Sequence, residues 1–112
     1  MKLFTTLVLF GILALPAMAA TESFKDVPVV DVNCSKKVAA NPDSHTRTCA
    51  ITCEKSGFGI ITRDKQFLKF DSKGNEEILT ELKASAKKDH LRVNVTGDVE
   101  GDTLKVASVK LL

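Results

Sequence analysis

His45, Cys49 and Cys53 stand at intervals of four residues, and Cys34 precedes them. On a helix, positions i, i+4 and i+8 fall along one stripe, so this spacing turns three soft donor side chains the same way. Imidazole nitrogen and thiolate sulfur are donors that Zn²⁺ takes. Cys34, His45, Cys49 and Cys53 together make a Cys₃His set able to close a tetrahedral site. The same donors suit Cu(I). A second chemistry is a disulfide from Cys34 to Cys49 or to Cys53, which leaves one thiol over. Closing a loop of about fifteen residues contributes about 3 kcal/mol in the chain-entropy account. A bond between Cys49 and Cys53 is the poorer pairing. Cβ atoms at i and i+4 of a helix lie about 5–6 Å apart, whereas a disulfide needs about 3.5–4.5 Å. A third chemistry is thiol exchange, with Cys49 or Cys53 activated by an adjacent His45 imidazolium. Neither a C-x-x-C redox motif nor a C-x-x-C-H haem site occurs in the sequence. Taken alone, His45 reads as a solvated residue in the first turn of a helix, and His90 as an exposed one.

No residues point to catalysis. The sequence holds no Gly-rich phosphate loop, no G-x-S-x-G elbow and no H-E-x-x-H. The carboxylates Asp31, Asp64, Asp71, Glu76, Glu77 and Glu81 are scattered. The three glutamates fall early in a helical segment, where the helix dipole and solvent favour them.

The compartment bears on the thiol chemistry. Lys2 supplies a positive n-region, Leu7 to Leu15 an apolar run, and Pro16 breaks that run ahead of Ala17-Met18-Ala19. This is the pattern of a signal peptide over residues 1–20, and the apolar run is short for a membrane anchor. No cysteine follows the cleavage site to carry a lipid. The style is bacterial, so the expected address is periplasmic or secreted, an oxidising environment for thiols.

About 92 residues then remain, enough for a single domain over residues 21–112. Lys2 is the one charged residue of the leader. Of sixteen basic and fourteen acidic residues, fifteen and fourteen therefore stay with the mature chain, a net charge of +1. That balance gives no electrostatic reason to expect nucleic acid, and no apolar stretch of the mature chain is long enough to insert in a membrane. The expected partner is a protein or small ligand of unknown identity. Tryptophan and tyrosine are absent, so the core must be mostly aliphatic, with Phe58, Phe67 and Phe70 contributing to it rather than stacking on bases.

The elements that must position the cysteines follow from periodicity. Val27, Val29, Val30 and Val32 favour a strand from Asp26 to Cys34, with Pro28 confining its start to an edge or irregular entry and residues 21–25 as a flexible lead-in. Asn41-Pro42-Asp43-Ser44 reads as a turn. Asp43 or Ser44 then caps a helix running from Ser44 to Ser56, and Gly57 stops it. Two short strands, Phe58 to Arg63 and Gln66 to Phe70, join through a tight Asp64-Lys65 turn. Asp71 to Asn75 reads as a break. Ile78, Leu79, Leu82 and Ala86 then give an amphipathic helix from Glu76 to Lys88. Leu91, Val93 and Val95 alternate with polar residues in a half-buried strand, Gly101-Asp102 makes a hairpin turn, and Leu104 and Val106 begin the last strand. Val109 and Leu111 are in the opposite phase, which requires a bulge near Ala107-Ser108.

Five short strands, with a helix in the loop after the first and another between the third and fourth, is the element order of an OB-fold-like barrel, a mainly β class. Nearly end to end, the mature chain also resembles small exported bacterial OB-fold-like domains of undefined function. The residues that carry the likeness are Val29-Val30-Asp31 leading to Cys34, then His45-x-x-x-Cys49-Ala50-x-x-Cys53 and Gly57, and Val93-x-Val95-x-Gly97 followed by Leu104-x-Val106. In that group a glycine often precedes the first strand's valines, where this chain has Val27 and Pro28. The resemblance implies a fold and lends no activity. The expected function is that of a non-enzymatic exported binding or accessory domain without a cofactor, its helical loop fixed by a disulfide among Cys34, Cys49 and Cys53. The alternative is a periplasmic zinc- or copper-binding, or thiol-redox, protein using Cys34, His45, Cys49 and Cys53.

Overall fold

Alternating apolar side chains on five strands fill the inside of a closed barrel. The computed structural model describes residues 21–112, so the signal-peptide expectation for residues 1–20 lies outside the described residues. The strands are β1 (Thr21–Asp31), β2 (Phe58–Ile61), β3 (Phe67–Phe70), β4 (Arg92–Glu100) and β5 (Thr103–Leu111). They close in the order β1-β2-β3-β5-β4. β1 runs antiparallel to both β2 and β4, and a short parallel pairing of β3 with β5 completes the ring. Two short helices, α1 (Ser35–Val38) and α2 (Arg47–Thr52), lie in the long loop between β1 and β2, and α3 (Ser72–Ala84) lies between β3 and β4. This is the five-stranded OB-fold-like barrel that the element order predicts.

Val27 and Val29 of β1, Ile60 of β2, Leu68 and Phe70 of β3, Val93 and Val95 of β4, and Leu104 and Val106 of β5 share one buried cluster. Ile78 and Leu82 of α3 belong to it and are fully buried. Each such side chain removed from water contributes about 1.5–3 kcal/mol, which lets an aliphatic core serve without tryptophan or tyrosine. Phe58 and Phe70 are buried, and Phe67 is half-buried with its ring against Gly59.

Several boundaries differ from the sequence expectation. Residues 21–25 are the first part of β1, paired from Thr21 opposite Asp98 to Phe24 opposite Val95. Phe24 packs on the core, and the nine-residue β4 offers a ladder that an otherwise polar segment joins. The register then shifts between Phe24 and Val27. Asp26 takes a positive φ of 51° there, and its N–H donates to Asn94 Oδ1 at 2.9 Å. Pro28, which has no N–H to give, follows this irregularity opposite Arg92.

α3 begins a turn earlier than the spacing of Ile78, Leu79 and Leu82 indicates. Asp71 is its N-cap, accepting from the Gly74 N–H at 3.1 Å and from the Val106 N–H at 3.2 Å. The polar run read as a break is thus the cap and first turn. The helix stops at Ala84, with Lys87 and Lys88 beyond its end. The bulge expected near Ala107-Ser108 is present: Thr96 pairs with Ser108 and Gly97 with Val106, which leaves Ala107 as the extra residue.

Candidate functional site at the mouth of the barrel

β1 brings a carboxylate to the end of the barrel. Side chains two apart on a strand share a face, so Asp31 follows Val27 and Val29 inward. Asp31 has no solvent exposure at all. A buried carboxylate is costly unless its oxygens find partners, and both do. Oδ2 accepts the Cys34 N–H at 3.0 Å, which caps the short 3₁₀ turn Val32–Cys34. Oδ1 lies 2.5 Å from Nε2 of His45, which is itself only 5% exposed. His45 is therefore not the solvated residue expected from its polar neighbours.

The loop between β1 and β2 is built to deliver that imidazole. Pro42–Ser44 forms a 3₁₀ turn, and His45 leaves it in an extended conformation. Thr46 then caps α2, its side chain accepting the Cys49 N–H at 3.1 Å. The single helix expected from Ser44 to Ser56 is thus three pieces, because His45 turns inward to Asp31 instead of entering a helical turn. After α2 the chain tightens again into the 3₁₀ turn Glu54–Ser56. Gly57, at a φ of 82° that a side chain would strain, passes it into β2. The Val32 N–H donates to the Gly57 carbonyl at 2.9 Å and the Asn33 N–H to Ser56 Oγ at 3.2 Å, so the two ends of the loop are laced together.

This lacing sorts the cysteines. Ligand atoms of Asp31, Cys34 and Cys53 all lie within 4.8 Å of one another. Cys49, inside α2, is exposed and stands outside that group. No disulfide joins the three cysteines in this structure. Of the expected set Cys34, His45, Cys49 and Cys53, the structure brings Cys34 and Cys53 together. It gives His45 to Asp31 and leaves Cys49 apart. The carboxylate of Asp31 is the member that sequence reasoning missed. Its signal was present in Val27-x-Val29-x-Asp31, where the inward alternation of a strand ends on a charged residue.

Electrostatics here favours the protonated form of the Cys34 thiol. Burial first, then the Asp31 carboxylate and neighbouring Cys53, push the Cys34 thiol above its ordinary value. A raised thiol is a weak nucleophile at neutral pH, which counts against thiol exchange at Cys34. His45, its Nε2 engaged by Asp31, is not free to activate Cys49 or Cys53 through that nitrogen. The Asn33 amide Nδ2 points at Cys53 Sγ from 4.0 Å.

The middle of the loop is tied to β4. Arg92 Nε and Nη2 donate to the two Asp43 carboxylate oxygens, each at 3.0 Å, and Nη1 donates to the Asp26 carbonyl at 2.7 Å. The Arg92 hydrogen bonds hold the Asp43 carboxyl below the usual carboxylate range. A cleft of about 410 Å³ opens beside this pair, walled by Pro28, Ala39, Pro42, Arg63 and Lys65 among others. His90 is exposed, as its sequence context indicates, and leans on Asp89. Among the described residues, no helix is long and apolar enough to cross a membrane.

Compared with known proteins, the chain matches no family model, no curated protein and no solved structure.

Proposed function

We propose that this chain is a small exported binding or accessory domain, of the kind its sequence resembles, whose β1–β2 loop is the working element and is locked by a Cys34–Cys53 disulfide. The observation that carries the reading is the convergence of Cys34 and Cys53 at the two ends of that loop, with Cys49 left exposed outside it. Forming the bond takes two electrons and two protons from the thiols, which a disulfide donor of an oxidising compartment accepts. Closing a loop of about twenty residues contributes about 3 kcal/mol, a large share of the stability of so small a domain. Export is supported by the signal-peptide pattern of residues 1–20. A binding role is supported by the cleft that the same loop walls against β1 and the turn after β2.

The test is a non-reducing peptide map of protein recovered from the exported fraction, with free thiols alkylated first. The expected result is a Cys34–Cys53 cross-link and a single alkylated residue, Cys49. Retention inside the cell with three alkylated thiols, or a cross-link that includes Cys49, would overturn the reading.

A further inference from the structure

The same corner of the barrel has a second capability that depends on the thiols being reduced. We infer that the dithiol form of this chain binds one Zn²⁺ through the Asp31 carboxylate and the sulfurs of Cys34 and Cys53.

Three observations converge on this site. One oxygen and two sulfur donors already lie within 4.8 Å of one another, so small side-chain rotations can bring them around one ion. Two of the three donors also have an outer partner. Asp31 is oriented through Oδ1 by His45 and through Oδ2 by the Cys34 N–H, and a lone pair on Oδ2 remains for a cation. Asn33 directs its amide at Cys53 Sγ. A carboxylate that ligates a metal is held in direction by its own hydrogen bonds, the part His45 takes here. Asp31, finally, is a carboxylate with no solvent exposure, and the side chains that engage it are the His45 imidazole and the Cys34 thiol, itself one of the three donors. A divalent ion at this point balances the two thiolates that form as it binds, and Asp31 supplies the third, anionic donor.

The donor set also chooses the metal. Two thiolates and a carboxylate suit borderline Zn²⁺, whereas soft Cu(I) is served by sulfur alone and gains little from the oxygen. Cys34 and Cys53 are both half-exposed, so the fourth position faces solvent and takes water or a small ligand. Each thiol gives its proton to the buffer as Zn²⁺ binds, so two protons are released for each ion bound. Cys49 has no part in the site, and His45 acts through Asp31 as a positioning residue.

The test uses the chain from residue 21 onward, reduced with a phosphine under nitrogen and titrated first with Co²⁺ and then with Zn²⁺. A 1:1 complex with a thiolate-to-cobalt charge-transfer band is expected, and Zn²⁺ should displace the Co²⁺. C34S and C53S should each abolish the band, and C49S should bind within twofold of the parent. H45Q, which acts one shell out, should weaken Zn²⁺ by about 10- to 100-fold. Circular dichroism identifies any variant that fails to fold. For the parent chain itself, bound Zn²⁺ should protect Cys34 and Cys53 from alkylation while Cys49 still reacts. Absence of saturable 1:1 binding would overturn the inference, as would loss of binding in C49S or protection of Cys49. The two proposals fail separately. A Cys34–Cys53 disulfide in the exported protein with no Zn²⁺ binding after reduction removes this one alone. Zn²⁺ binding by a chain that is never cross-linked removes the disulfide lock alone.

Discussion

At the scale of the residue, the arrangement turns on one buried pair. Asp31 sits where alternation along β1 calls for an apolar side chain, and the fold accommodates it by drawing His45 out of the following loop. Removing the imidazole leaves a carboxylate oxygen buried without its partner, which costs more than the hydrogen bond itself. H45A is therefore expected to lower unfolding free energy by about 2–3 kcal/mol in urea titrations. The double variant D31N/H45A should recover part of that loss, because the orphaned charge is gone. A loss under about 0.5 kcal/mol for H45A, the size of an ordinary surface change, would mean that the pair does not hold the loop. The cysteine and histidine types were legible as ligands from their spacing alone. What could not be read was the partner of each, because β1 and the loop meet through contacts more than ten residues apart in sequence.

At the scale of the element, α3 closes the barrel by pressing a glycine against a strand. A Cβ at Gly74 would lie 2.4 Å from Val106 Cγ2 and 2.9 Å from Val106 Cβ, with Phe70 Cβ at 3.0 Å. Alanine in an open helical position gains about 1 kcal/mol over glycine. Here the overpacking costs about 1–3 kcal/mol. G74A is thus expected to be net destabilising by about 1 kcal/mol, read as a lower Tm, in contrast to the gain that helix propensity alone predicts. Local signals located this helix by its apolar spacing but set its start too late. Gly74 and Asp71 look like breakers in isolation, and only the neighbouring β5 shows that one is a close contact and the other a cap. The helix expected between Ser44 and Ser56 was lost in the other direction. Its pattern is helical, yet the inward pull on His45 interrupts it, and α2 keeps only Arg47–Thr52.

At the scale of the whole molecule, the two ends of the β1–β2 loop are held at the Asp31 corner and its middle is held by Asp43 on Arg92 of β4. The second tie makes stability depend on pH in a definite direction. Arg92 hydrogen-bonds the Asp43 carboxylate and lowers its pKa on folding. The unfolded chain therefore binds a proton at a higher pH than the folded one. The contribution is present above the ordinary aspartate value of about 3.9 and is lost as pH falls through the depressed folded value. D43N should accordingly be less stable than the parent at neutral pH. The two should converge on acidification below about pH 4, as measured by denaturant midpoints across that range.

The sequence by itself determined the presence and order of the five strands and of the helix between β3 and β4, because strand and helix periodicities and turn residues are local quantities. Val93-x-Val95, the out-of-phase Val109 and Leu111 with their bulge at Ala107, and the Gly101-Asp102 turn all carry over into the barrel without change. Only the tertiary structure decided which side chains share a site. Barrel closure sets Asp31 beneath the loop, gathers Cys34 and Cys53 beside it and leaves Cys49 on the surface. Those relations are set by where the chain returns in space, and four-residue spacing along the chain carries no record of that return.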